Sequence, residues 1–200
     1  MGQGLDTKEK ILDTALIAFS RYGYEGARME KIASEIGINK ASLYFHFSGK
    51  EEIFRVLFRR VVEKYEVQLK HIFANASSLP IKGQLLRICL DYLSYHYRNP
   101  EMNFWNLVYY LPPEVMKSEI LEATAKSKND LIVGLSEILT KGIHSEVIRD
   151  QPVEPMAMSL YYLLTCMAIS TEILDMKSYL SEMISCFEIY WNGVKADGLN

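Results

Sequence analysis

The sequence predicts an all-α chain of about nine helices. Three observations carry that expectation. Apolar residues recur at three- and four-residue spacing in almost every segment, and no run alternates with the period of two that a half-buried strand needs. The breaks between periodic segments carry residues that start and stop helices. The 200 residues are 49% hydrophobic and 24% charged, which is ordinary for a globular protein with a sizeable core.

Asp6, with Glu9 three residues on, predicts a capping box for a first helix. Its apolar stripe is Ile11, Leu12, Ala15, Leu16 and Phe19, and Gly23 is its stop. A short helix follows around 29–36 and ends at Gly37, and Asn39 caps another over about 40–46. Ser48 and Glu51 form an S-x-x-E box opening a long helix, about 48–73, whose stripe runs from Ile53 to Ile72. The polar stretch 75–80 is the clearest break in the chain. Further helices are expected over about 82–98, stopped by Asn99-Pro100, and 101–110, stopped by Pro112-Pro113. A long one covers 114–141 and ends near Gly142, a loop runs from His144 to Pro155, and the final two helices cover about 155–175 and 178–194.

Several classes are excluded. The first ten residues turn acidic and basic where a signal peptide needs an apolar run. The longest apolar stretch, 156–169, is too short to span a bilayer. Cys89, Cys166 and Cys186 are odd in number, far apart and set among apolar residues, so neither a disulfide framework nor a zinc pattern is expected, and a reducing cytoplasm fits. No metal site and no cofactor are expected. Ser42, Tyr44 and His46 supply no base with a positioned orienter, so no catalytic residues and no enzyme are expected. The net charge of −3 is unevenly distributed: residues 1–60 hold ten Lys/Arg against eight Asp/Glu, a balance of +2, which leaves −5 for residues 61–200. That asymmetry suits a nucleic-acid-facing N-terminal end.

Residues 29–47 carry the sharpest pattern. A helix-turn-helix needs a small residue where its helices cross, a glycine in the turn, and an apolar residue locking the second helix. Ala33, Gly37 and Leu43 stand at those places, with Ile32, Ile36 and Ile38 around them. Glycine at 37 permits the left-handed backbone that ends a helix in a tight turn. The second helix then presents Lys40, Ala41, Ser42, Tyr44 and His46, side chains suited to base edges and phosphates in a major groove about 12 Å wide. By itself the pattern fits a plain helical hairpin as well.

The flanks add to it. Ile11-Leu12-Asp13-Thr14-Ala15, Phe19-Ser20-Arg21-Tyr22-Gly23-Tyr24, Ile32-Ala33, Gly37-Ile38 and Leu43-Tyr44-Phe45-His46-Phe47-Ser48-Gly49-Lys50-Glu51-Glu52 closely resemble the TetR family of transcriptional repressors, over about residues 8–58. The resemblance implies a DNA-binding domain over residues 1–50 and a ligand-binding and dimerisation domain over 51–200, with the helix at about 48–73 connecting them. It implies that Tyr44 and His46 contact DNA, that Lys40, Ala41 and Ser42 read bases, and that Lys50 grips a phosphate, where a helix N-terminus adds its own positive end. Many members place Thr or Ser before the second helix. Here Ala27-Arg28 stands instead, so the usual cap is missing, and Arg28 is either a phosphate or minor-groove contact or a solvated charge. Arg55, Arg59 and Arg60 either extend the basic surface or form the solvated face of a helix, the commoner case.

Aromatic residues crowd the second part: Tyr92, Tyr95, His96 and Tyr97, then Phe104, Trp105, Tyr109 and Tyr110, then Tyr161 and Tyr162 with Cys166. Such stripes are usually core, but so many hydroxyls need partners when buried. A cavity of rings with a few polar tips suits a small hydrophobic or aromatic effector. The resemblance points to the same helices, so the expected ligand-binding residues are Tyr92, Tyr95, His96, Trp105, Tyr109, Tyr110, Tyr162 and Cys166, with His96 either the polar anchor or equally a satisfied core histidine. Leu180, Met183, Ile184, Phe187 and Trp191 make a wide stripe, and residues 156–176 are apolar on nearly all sides. Such helices need cover on two faces, which predicts a homodimer through about 155–194 and a palindromic operator in double-stranded DNA. The alternative is an architectural, chromosome-associated DNA-binding protein without a small-molecule inducer.

Overall fold

The computed structural model describes residues 2–170 and 175–198, with side chains from Asp6 onward. Among them nine α-helices follow one another: α1 Gly2–Gly26, α2 Met29–Glu35, α3 Lys40–His46, α4 Lys50–Ala76, α5 Ile81–His96, α6 Pro100–Tyr110, α7 Lys117–His144, α8 Val153–Ala168 and α9 Met176–Val194. A single 3₁₀ turn, Glu114–Met116, precedes α7. The all-α expectation is met. The predicted continuation of the eighth helix to residue 175 falls partly on residues 171–174, outside the described residues.

Local chemistry sets the helix ends, with some corrections. Helix α1 already runs through Asp6, so Asp6 does not cap it; its carboxylate instead accepts from Lys10 at 2.7 Å, one turn on. At Gly23 the backbone leaves the helix (φ 69°, ψ 179°), as the predicted stop requires. The partner of Ser48 is Glu52 rather than Glu51: its carboxylate accepts from the Ser48 N–H at 2.6 Å and hydroxyl at 2.8 Å. Those bonds hold the Glu52 carboxyl below its ordinary range, while Glu51 pairs with Arg55 at 2.9 Å. Helix α7 continues through Gly142 to His144, because Gly142 is where Ile148 packs against the backbone and a Cβ would collide with it.

The contacts group the chain into two compact units, Met1–Lys64 with Asn99–Thr124, and Tyr65–Arg98 with Ala125–Asn200. Both α4 and α7 contribute residues to each. In the first unit α1 packs on α2 and α6, and α2 on α3. Phe54 is the hub: its ring meets Phe19 edge-on at 5.0 Å and Phe104 at 5.2 Å, and one turn on Phe58 stacks on Trp105 at 6.1 Å. Asn99 caps α6 by accepting from the Glu101 N–H, with Pro100 at the first helical position where its missing donor is harmless.

In the second unit α5 packs on α8 and α9. Leu85, Ile88, Cys89 and Leu93 of α5 are fully buried, with Leu160 and Leu164 of α8 and Tyr179, Met183 and Phe187 of α9. The buried hydroxyls find carbonyls: Tyr179 donates to Met167 O at 3.0 Å and Tyr190 to Met156 O at 3.1 Å. The stretch His144 to Pro155, predicted as a loop, gives way to α8 at Val153; before that it carries an isolated antiparallel bridge between Ile148 and Lys195, and the Arg149 guanidinium donates to the carbonyls of Lys195 and Asn192.

Candidate nucleic-acid interface

The turn between α2 and α3 is built by its backbone. Ile36 closes α2, and Gly37 takes φ 73°. The Gly37 N–H donates to Ser34 O at 3.2 Å and the Ile38 N–H to Ala33 O at 3.0 Å, the paired bonds of a Schellman ending. Ala33 and Ile32 are buried beneath it, and Leu43, fully buried, locks α3 from the other side. Asn39 then caps α3, its side-chain oxygen accepting from the Ser42 N–H at 2.7 Å. Three separate choices in the sequence, Ala33, Gly37 and Asn39, thus fix the direction in which a seven-residue helix leaves the domain.

With Leu43 and Phe47 inward, the rest of α3 faces out. Lys40, Ala41 and Tyr44 are exposed, and Ser42 and His46 are half-buried. Phe45 is 87% exposed, the most open large apolar side chain among the described residues, and it meets the His46 ring edge-on at 5.4 Å. The apolar pattern had hidden Phe45: on a helix this short it reads as core, and only the placement of Leu43 and Phe47 shows that it is not.

The cations around this helix are engaged. The Lys40 ammonium is paired with the Glu30 carboxylate on α2 and lies 5.8 Å from the centre of the Tyr44 ring. That pairing lowers the Glu30 pKa and raises that of Lys40, the hydrogen bond leading and charge attraction adding to it. Lys50, at the first position of α4, donates to Tyr24 O at 2.8 Å, sits 4.3 Å from the Tyr24 ring centre, and is 4.0 Å from Glu25. Arg28 occupies the N-cap of α2 with no side-chain cap bond, as the missing Ser or Thr implied, and is exposed. Lys31 lies 4.5 Å from the Tyr22 ring centre and donates to its hydroxyl at 3.1 Å, which with Arg21 lowers the phenol pKa. The arginines of α4 are tied into ion pairs with acidic side chains, Arg59 at a solvent-exposed position. Arg55 bridges Glu51 and Glu119, Arg59 reaches Glu119 at 3.2 Å, and Arg60 holds Glu9 at 2.7 Å and Asp13 at 3.5 Å.

The residues expected to bind a ligand do not all converge. Tyr92, Tyr95 and His96 come together at the end of α5, with the His96 ring 4.4 Å from Tyr92 and 6.0 Å from Tyr95. Trp105 is buried against Phe58 in the first unit, and Tyr109 and Tyr110 of that unit are exposed. Tyr162 and Cys166 are exposed on α8, where the Tyr162 hydroxyl accepts from Lys128 at 3.1 Å. The stripe expected to meet a second subunit divides likewise: Met183, Phe187 and Trp191 are buried within the chain's own core, Leu180 is half-buried, and Ile184 remains outside, as does Ile189, which the stripe did not include. Among the described residues no cluster of His, Cys, Asp and Glu has the makings of a metal site, and no helix is long and apolar enough to cross a membrane.

A capped, outward-facing helix locked behind a Schellman turn defines a helix-turn-helix of the kind found in regulatory proteins. Residues 11–57 match the family described as bacterial regulatory proteins, tetR family. The chain is 29% identical over 98 residues to the probable HTH-type transcriptional regulator YttP of Bacillus subtilis, covering 49% of this chain and 47% of that one. It is 48% identical over 48 residues to IcaR, the negative regulator of the biofilm operon icaADBC in Staphylococcus epidermidis, covering 24% of this chain and 26% of that one. These matches thus span half or less of the relatives' lengths. A TetR transcriptional regulator from Chloroflexus aurantiacus shares the fold over 98% of this chain and 100% of its own, with a TM-score of 0.74 and 18% identity. Residues 11–57 are thus similar to the N-terminal domain of that family, and the chain shares its fold with a solved TetR regulator.

Proposed function

We propose that the protein is a transcriptional repressor that binds a palindromic operator as a homodimer and leaves it when a small hydrophobic or aromatic effector binds. The observation that carries the DNA-binding part is the outer face of α3, where Lys40, Ala41, Ser42, Tyr44, Phe45 and His46 stand clear of the domain core. These side chains reach base edges when such a helix enters a major groove, while Lys50 and Arg28 lie at its flanks for phosphates. Binding exchanges the Lys40–Glu30 pair for a contact with DNA. Dimerisation through α8 and α9 is supported by the apolar side chains they leave outside, Ile184, Ile189 and Tyr162. In a dimer the two recognition helices address half-sites about 34–36 Å apart. Effector sensing is supported by the Tyr92, Tyr95 and His96 cluster, and α4, one helix of 27 residues, carries residues of both units and thereby links them. An effector that favours a different tilt of α4 shifts the population away from the DNA-competent state.

Selection from a pool of random double-stranded DNA tests this reading. The expected result is enrichment of an inverted repeat. Weak binding without enrichment, abolished by salt, supports the architectural alternative, which the dispersal of Trp105, Tyr109, Tyr110, Tyr162 and Cys166 favours.

A further inference from the structure

His96 poses a problem that the fold leaves open. Its side chain is 2% exposed, and neither ring nitrogen has a hydrogen-bond partner among the described residues. A neutral imidazole carries one donor and one acceptor, and leaving both unmet in a buried place is costly. Rings surround it: Tyr92 stacked at 4.4 Å, Tyr95 edge-on at 6.0 Å, and Tyr65 from α4 edge-on at 6.3 Å. The Tyr65 and Tyr92 hydroxyls are hydrogen-bonded to each other.

Tyr65 has a second face. It forms part of the wall of a partly open cleft of about 470 Å³ between the C-terminal half of α4 and α7. Leu69 and Phe73 of α4 and Val133 of α7 continue that wall, and Gly134 is where Phe73 lies directly against the α7 backbone, since any Cβ there would strike the ring. The rim carries two lysines and three carboxylates, a balance of −1: the Lys126 ammonium sits between the carboxylates of Glu66 and Asp130, and Lys70 and Glu137 add one of each sign. The cleft is of a size for a small organic molecule. Tyr65 alone is common to it and to the ring cluster around His96.

We propose that this cleft is the mouth, and His96 the polar anchor, of a site for an uncharged planar ring compound bearing a hydroxyl group, with Tyr65 as the partition that swings aside to admit it. A hydroxyl both donates and accepts, which matches what the imidazole lacks. Ring walls favour a flat apolar body. The tyrosines around His96 bring no formal charge to balance an ionic ligand, and the burial that pushes the imidazole pKa down to about 3 keeps it neutral. This inference rests on the effector-sensing reading above and gives the effector its chemical class.

Calorimetric titration of the full chain with four probes tests it: 2-naphthol, naphthalene, 2-naphthoate and 2-naphthylmethylammonium. The wild type is expected to bind 2-naphthol roughly tenfold or more tightly than naphthalene, the margin of one well-placed buried hydrogen bond, and to reject both ions. His96→Phe keeps the ring and removes both nitrogens, so it should bind 2-naphthol no better than naphthalene. Val133→Trp, at an exposed position in the cleft wall, should block both 2-naphthol and naphthalene while leaving the fold intact. No binding of 2-naphthol by the wild type, preference for either ion, or unchanged 2-naphthol affinity in His96→Phe overturns the proposal. A parallel operator-release assay separates the two ideas. Binding that depends on His96 without release of DNA leaves the site standing and removes the effector reading. An effector that releases DNA equally from wild type and His96→Phe does the reverse.

Discussion

The Lys40 ammonium and the Glu30 carboxylate are paired across the turn that joins α2 to α3. The cation best placed on the recognition helix is therefore already neutralised in the free protein. On the proposed reading, a phosphate or base that reaches Lys40 competes with the Glu30 carboxylate for the same ammonium. This favours selective over indiscriminate binding, since weak electrostatic encounters gain less from a charge already partnered.

Glu30→Gln frees Lys40. Affinity for arbitrary duplex should rise by roughly two- to fivefold at low salt, whereas Lys40→Ala should weaken binding to every sequence. Fluorescence anisotropy with an unrelated duplex and with the selected operator measures both. No change in Glu30→Gln would mean that the pair does not limit Lys40.

Gly37 and Ala33 fail for different reasons when enlarged. At Gly37 a Cβ has open space but φ is 73°, so Gly37→Ala should cost about 1–2 kcal/mol in urea unfolding through backbone strain alone. Ala33 is buried at the helix crossing, so Ala33→Leu should cost about 1–3 kcal/mol through overpacking. The larger residue also splays α2 from α3 and should abolish operator binding at temperatures where the variant remains folded. Equal operator affinity in Ala33→Leu would contradict the crossing geometry.

Burial holds the His96 imidazole at about 3 against an ordinary 6.5. The rings of Tyr65 on α4 and of Tyr92 and Tyr95 on α5 meet its own. Between those pH values the unfolded chain binds a proton that the folded chain refuses, so stability is lost as pH falls below about 6.5 and is unaffected above it. From about pH 7.5 to 5 the wild type should lose on the order of 2 kcal/mol more than His96→Phe. Identical pH profiles in denaturant melts would show that the imidazole protonates freely.

On α9, alternate faces should separate assembly from folding. Ile189 is 76% exposed and Ile184 41%, whereas Phe187 is fully buried. Ile189→Arg with Ile184→Glu should yield a folded monomer in sedimentation experiments, and Phe187→Ala should lose about 3–5 kcal/mol of stability. A dimer that survives the double exchange would place the interface elsewhere.

Much of this was legible in the sequence, for identifiable reasons. Local signals were reliable wherever one residue had one job: Asn39 as a cap, Gly23 and Gly37 as stops, Asn99-Pro100 as a boundary. They misled where two acidic residues competed, as with Glu51 and Glu52 behind Ser48, and where Asp6 had the right spacing but the helix began earlier. Composition showed that rings crowd the second half but not which face each occupies. Tyr109 and Tyr110 sit at the end of α6 and point outward, while Tyr65, absent from the expected set, stands against His96 because α4 passes the end of α5. Pairings such as Arg60 with Glu9, or Arg55 with Glu119, join residues more than fifty positions apart, and no periodicity reports them. The lack of partners for His96 is likewise a property of the packed interior, invisible in a string of letters.

Whether α3 reads DNA in a dimer is decided most directly by a salt series on the selected operator. Wild type, Tyr44→Ala and Phe45→Ala would be titrated against that duplex and a scrambled one. Wild-type affinity should fall steeply and linearly with the logarithm of salt concentration, with a large preference for the operator. Both variants should lose that preference while keeping their thermal stability, because neither side chain is buried. Equal binding of the two duplexes by all three proteins, or a preference untouched by both substitutions, would contradict DNA reading by α3.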